Sequence, residues 1–181
     1  MQYKKLKGVI LKKQNFREAD QIITVWTSEV GKIRILARGL RLPKSKLVYN
    51  LSELSLVEFE ITGRKNFPTV ISAQTAQSFN HLRHDLLKIA NAIYASELVM
   101  KMTADEHPNQ VVYQLLVDFL HQLNQAYGLN HYQLLDRFAL KLAQALGFGQ
   151  PKQINSHSDV RNFIEELIER QIKSEPFLAQ I

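Results

Sequence analysis

The hydrophobic period of this 181-residue chain changes once, near residue 80, and that change limits what it can fold into. Before it, apolar and polar side chains alternate in short runs separated by turn residues, as in half-buried strands. Beyond it, apolar residues recur at the three-to-four spacing of amphipathic helices. Strands followed by helices make an α+β chain, with one domain expected over 1–80 and an all-helical one over 81–181. Five strands are predicted: Lys5–Lys13, Ile22–Thr27, Lys32–Leu40, Leu54–Thr62 and Val70–Phe79. In the fourth, Val57, Phe59 and Ile61 face inward and Glu58 and Glu60 outward. Five short strands in about 75 residues suit a small barrel or sandwich, and the five-stranded OB barrel is the commonest of that size that binds nucleic acid.

In the second half, His81–Met102 carries Leu82, Leu86, Ile89, Ile93 and Met100 on one face, with Leu87, Ala90, Tyr94, Leu98 and Met102 beside it. So wide a stripe predicts a central helix buried on more than one side. Asn109–Tyr127, Asn130–Leu146 and Ser158–Lys173 are narrower amphipathic helices, the last with Ser158 as N-cap. Asp105–Pro108 reads as a break between helices.

Charge divides at the same point as the period. The net charge is +6, but residues 1–80 hold 14 Lys and Arg against 6 Asp and Glu, while residues 81–181 hold 9 against 11. Two halves that differ in charge and period suggest two domains with different partners. Much of the basic character sits in Lys32–Lys46, which contains Lys32, Arg34, Arg38, Arg41, Lys44 and Lys46 and no acid. Ile33, Ile35 and Ala37 take one face of the strand; Lys32, Arg34 and Arg38 take the other. Lys12 or Lys13, on the preceding hairpin, is a candidate seventh cation. Like charges stacked on an open strand face repel one another, so a polyanion is the expected counter-charge. The competing reading is a solvated strand face beside a basic loop. The absence of acids through Gly39 and Pro43 favours nucleic acid.

Other chemistry is sparse. The chain has no cysteine, which excludes disulfides and thiol catalysis. There is no phosphate-binding glycine loop and no GxSxG elbow. His81 and His84 have the spacing of two metal ligands, but no second cluster supports them, so surface histidines are the better reading. Glu18 and Asp20 share a turn, where acids accept backbone N–H bonds more often than they hold a cation. Glu97 falls on an apolar stripe and requires a partner. Phe16, Tyr49 and Phe67 lie in predicted loops, where exposed rings can stack on bases; Trp26 is expected in the core. Neither a catalytic site nor a cofactor is expected. No apolar run approaches the roughly 18 residues of a membrane span, and Gly8–Leu11 is too short for a signal-peptide core. These features suggest a cytoplasmic protein.

A family resemblance runs through both halves. Gly8-Val9-Ile10-Leu11, Glu18-Ala19-Asp20 with Ile22-Ile23, Thr27 with Gly31-Lys32, Ala37-Arg38-Gly39 and Lys44-Ser45 resemble the N-terminal OB domain of the RecO family of bacterial recombination mediators. Tyr94-Ala95-Ser96-Glu97-Leu98 is similar to a Tyr/x/x/Glu/Leu step in that family's first long helix. Leu135, Arg137-Phe138-Ala139-Leu140 and Leu146-Gly147-Phe148 resemble a later helix and its Gly-aromatic end. The resemblance covers about residues 5–150. Two departures stand out. Many members carry a four-cysteine zinc module where this chain has Gln150–His157, so a short member without the module is expected. The family's Leu-x-Pro-Phe step is Leu51-Ser52-Glu53-Leu54 here.

The resemblance implies a non-enzymatic, nucleoid-associated DNA-repair protein that binds single- and double-stranded DNA and needs no small-molecule substrate. It also implies annealing of strands coated by single-strand-binding protein (SSB), and work with RecR to load recombinase. The expected DNA contacts are Lys32, Arg34, Arg38, Arg41, Lys44 and Lys46. Arg137 and Lys141, beside Phe138, are the candidate cations for SSB's acidic tail. The alternatives are an adaptor of the same fold that binds SSB or RecR with little DNA binding, and an RNA-binding OB module.

Overall fold

The computed structural model describes residues 3–63, 67–125, 131–151 and 153–168. Five strands come first: β1 (Tyr3–Phe16), β2 (Asp20–Thr27), β3 (Gly31–Ala37), β4 (Leu56–Thr62) and β5 (Thr69–Gln77). They lie in the order β1-β2-β3-β5-β4, with β4 returning to β1. This is the partly open five-stranded Greek-key barrel of the OB type. β1 makes the topology possible. It pairs with β4 through Tyr3–Val9 and with β2 through Gly8–Phe16, and a bulge between Ile10 and Lys12 bends it between the two. The ring is completed where β3 meets β5 in parallel at one position, Leu36 opposite Thr69, with the Leu36 N–H donating to the Pro68 carbonyl at 2.9 Å.

Alternation places Ile10, Ile23, Val25, Ile35, Val57, Phe59 and Ile61 in the barrel core. Leu40 and Leu51, from the long β3–β4 loop, seal one end. Burying each of these seven side chains stabilises the barrel by about 1.5–3 kcal/mol. The predicted strands are all present, with shifted ends. The third stops at Ala37 rather than Leu40, because Gly39 has a positive φ and turns the chain.

The helices are α1 (Asn80–Arg83), α2 (Leu86–Met102), α3 (Gln110–Gln125), α4 (His131–Ala145) and α5 (His157–Ile168). The single predicted helix His81–Met102 is therefore two. Asp85 takes an extended conformation and accepts the Lys88 N–H, capping a new helix. α2 is the central helix, buried on several sides from Ala90 to Val99. The deeper stripe is the one through Ala90, Tyr94 and Leu98; Leu86 and Ile93, placed on the other stripe, are exposed. Glu97 finds its partner one turn on, with Lys101 Nζ at 3.1 Å. α5 begins one residue earlier than predicted. Ser156, not Ser158, caps it: the Asp159 N–H donates to Ser156 Oγ, and Asp159 accepts the N–H groups of Asn155 and Ser156. The predicted helix ends at Tyr127 and Lys173 lie outside the described residues.

The chain divides into two compact units, Met1–Ser78 with Asp105–Asn109, and Phe79–Ala104 with Gln110–Ile181. The segment read as a break between helices thus belongs to the barrel. Asp105 forms a parallel bridge with Lys32, and the Glu106 N–H donates to the Lys32 carbonyl at 2.9 Å. Asp105 and Glu106 occupy the edge of β3 below the point where β5 takes over.

Candidate nucleic-acid interface

The six expected cations fall into two groups with different electrostatics. Lys32 and Arg34 lie on the outer side of β3, opposite Ile33 and Ile35, as the period requires. They do not repel each other across an open face. The Asp105 carboxylate lies 3.3 Å from Lys32 Nζ and 3.6 Å from Arg34 Nη2, so the chain supplies the first counter-charge itself. The Lys32 side chain is only 11% exposed, against 56% for Arg34. The neighbouring outward residues of β2, Thr24 and Trp26, are buried as well. A strand face fully open to a polyanion is therefore corrected to one where, on β3 itself, Arg34 is exposed and Lys32 is largely covered. The missed residue is Asp105. Its partnership with β3 spans more than 70 residues of sequence, which local periodicity does not report.

Arg38, Arg41, Lys44 and Lys46 form the second group, in the loop between β3 and β4. All four are exposed, and among the described residues no carboxylate pairs with them. The loop is fixed rather than loose. Asp20 Oδ1 accepts the Gly39 N–H at 2.8 Å, the Arg41 N–H donates to the Ala19 carbonyl at 3.0 Å, and Arg41 Nη1 donates to the Glu18 carbonyl at 3.0 Å. Successive turns then close Leu42 onto Gly39 and Ser45 onto Leu42. Asp20 thus has the backbone-capping role expected of acids in a turn, and it joins the β1–β2 turn to the basic loop.

That junction adds a cation that the charge pattern alone did not single out. Arg17, exposed and in the left-handed region at φ 56°, stacks over Phe16 with its guanidinium carbon 5.1 Å from the ring centroid. Tyr49, three residues past Lys46, is 82% exposed. The stacked Arg17 and Phe16 thus adjoin the turn that anchors the basic loop, and Tyr49 lies further along that loop. Such a surface suits phosphates with unstacked bases between them. The strand register also separates the two candidates for a seventh cation. Lys12, Thr24 and Arg34 lie in one cross-strand row, and Lys12 is exposed, whereas Lys13 lies in the row of Ile23 and Ile35. Burial pushes the Lys13 ammonium below its usual range, and nearby Glu53 only partly restores it.

In the helical unit, Arg137 and Lys141 are exposed on α4. Phe138 is not available beside them. It is buried against Phe119, with ring centroids 4.6 Å apart. Asp136, next in sequence to Arg137, pairs instead with His157 Nδ1 at 2.6 Å, tying α4 to α5. The exposed rings on and just past α4 are Tyr132, in its first turn, and Phe148, beyond its last. His81 and His84 are exposed, and among the described residues no group of three metal-ligating side chains comes together.

Comparison with known proteins agrees with both units. The family model described as "Recombination protein O N terminal" matches residues 1–79, and that described as "Recombination protein O C terminal" matches residues 83–151. A DNA repair protein RecO of Symbiobacterium thermophilum is 32% identical over 141 residues, covering 78% of this chain and 55% of that protein. One from Acetivibrio thermocellus is 32% identical over 148 residues, covering 82% and 59%. A third, from Listeria monocytogenes, is 29% identical over 144 residues, covering 79% and 55%. The chain spans a little over half the length of these curated relatives. With both family regions matched in order, on a barrel and a helical unit of the expected kinds, the chain belongs to the RecO family.

Proposed function

We propose that this protein acts in DNA repair as a non-enzymatic DNA-binding protein, and that the barrel end bearing Arg38, Arg41, Lys44 and Lys46 carries the DNA contacts. The observation behind this reading is that these four exposed cations have no carboxylate partner among the described residues and are held on a loop anchored to the β1–β2 turn. A fixed cationic surface binds a phosphate backbone with less ordering cost than a mobile one. Arg34 and Arg17 extend this surface, while Lys32 contributes less because Asp105 already holds it.

The finer reading is annealing of complementary strands and help in loading recombinase on SSB-coated DNA. Neutralising two phosphate backbones requires charge and sequence-tolerant contact, and no nucleotide hydrolysis. Arg137 and Lys141 remain the candidate cations for SSB's acidic tail, without Phe138 as an exposed ring beside them; RecR is the second proposed partner. Strand annealing on SSB-coated DNA, without nucleotide or metal, tests the proposal. Accelerated annealing is expected, and a rate equal to the protein-free control would refute it.

A further inference from the structure

The edge of β3 is bridged at Lys32 by Asp105 and at Leu36 by Thr69, and Arg34 lies between the two bridges. The gap between them opens a cavity of about 910 Å³ in the seam of the barrel. Its floor includes the barrel-core residues Leu6 and Ile61, beside Ile33, and its rim carries Tyr3, Phe67 and Arg34. Phe67 is conspicuous. It is a bulky residue at φ 64°, a conformation such side chains rarely adopt, and its ring is nearly half exposed. The Arg34 guanidinium carbon lies 5.4 Å from the ring centroid.

We infer that this cavity accepts an unstacked nucleobase from a single DNA strand whose backbone runs along β3 towards Arg38. The inference rests on the DNA-binding reading and adds a site to it. The chemistry of the lining favours a base over other occupants. An aromatic face and an apolar floor suit a planar ring of a size that fits a cavity in the usual range for small ligands. The rim offers donors from Lys4 and Arg34 and acceptors from Asp105 and Glu106, matching the mixed donors and acceptors of a base edge. A purely anionic ligand would be opposed by those two carboxylates. Continuity supports the same occupant: Arg38 follows directly on the end of β3, four residues past Arg34 and about 13 Å away at strand rise, so phosphates flanking the inserted base can reach the second group of cations.

Fluorescence titration of an oligonucleotide carrying one 2-aminopurine, as single strand and as duplex, tests the site. Phe67→Ala should weaken single-strand binding about tenfold, the scale of one stacked base, and leave duplex binding unchanged. Phe67→Tyr should restore it, and Tyr3→Ala, on the β1 side of the rim, should show the same preference for losing single-strand binding. Unchanged single-strand affinity in both alanine variants, or equal losses on single strand and duplex, would overturn the inference. Arg38→Glu with Arg41→Glu, measured alongside, separates the two readings. If that pair removes binding while Phe67→Ala does nothing, only the cavity site fails. If the pair leaves binding intact, the DNA-binding reading fails at its source.

Discussion

At Gly31 the backbone has φ +74°, and a β-carbon there would overlap the His107 carbonyl. Two costs coincide at this position, the left-handed conformation and a collision with backbone that has no side chain to yield. Gly39 has a similar φ of +60°, but a β-carbon there would meet only the flexible end of Leu42, at 3.2 Å. Gly39→Ala should therefore cost about 1–2 kcal/mol, the conformational term alone, and Gly31→Ala clearly more. Urea unfolding of both variants checks the order, and equal losses would contradict the account. The same residue-level view explains which parts of the site could be read in advance. The cations, the turn acids and the loop aromatics carry local signals of charge, spacing and composition. Asp105 and Gly31 could not be read this way, because what makes each important is a partner brought close only by the fold.

At the scale of elements, the Asp105–Glu106 segment acts as a short extra partner for β3, and it partly neutralises the strand's cations. Asp105→Asn should tighten DNA binding, because Lys32 and Arg34 become available to phosphate. The log–log salt slope on single strands should steepen by about 0.7 for each phosphate gained. Salt titration of the variant against the parent measures this, and a weaker or unchanged affinity would count against it. At the start of α5, the backbone bond from Asn155 and the bond from Ser156 hold the Asp159 carboxyl below its usual range. A lowered folded pKa adds stability that is present above the ordinary carboxylate range and lost as pH falls through the folded value. Asp159→Asn should flatten this acid-side loss, and Ser156→Ala should cost about 0.5–2 kcal/mol of cap. Amide exchange of α5 between neutral and acid pH reports both. Asp136 works in the opposite sense: burial raises its pKa more than the hydrogen bond and charge of His157 lower it, so its ionisation lowers stability as pH rises out of the carboxylate range.

At the scale of the whole molecule, both architectural classes were legible because the barrel strands alternate with period two and the helices recur at 3.6. These signals are strong wherever one face is buried. What escaped was mainly non-local: the assignment of Asp105–Asn109 to the barrel, and the burial of Phe138 that removes it from the expected partner pocket. The division of His81–Met102 by the Asp85 cap is a local signal that the continuous apolar period overrode. The excess positive charge remains a property of the first half, and among its described residues the β3–β4 loop gathers four exposed cations with no carboxylate partner. The most direct test is therefore DNA titration of Arg38→Glu with Arg41→Glu at low salt, with circular dichroism to confirm that the fold is retained. The account predicts loss of binding in the double variant, and in the parent an affinity that falls with salt at a log–log slope of roughly −0.7 per phosphate contacted on single strands. Unchanged affinity in the double variant, or a parent affinity insensitive to salt, would contradict it.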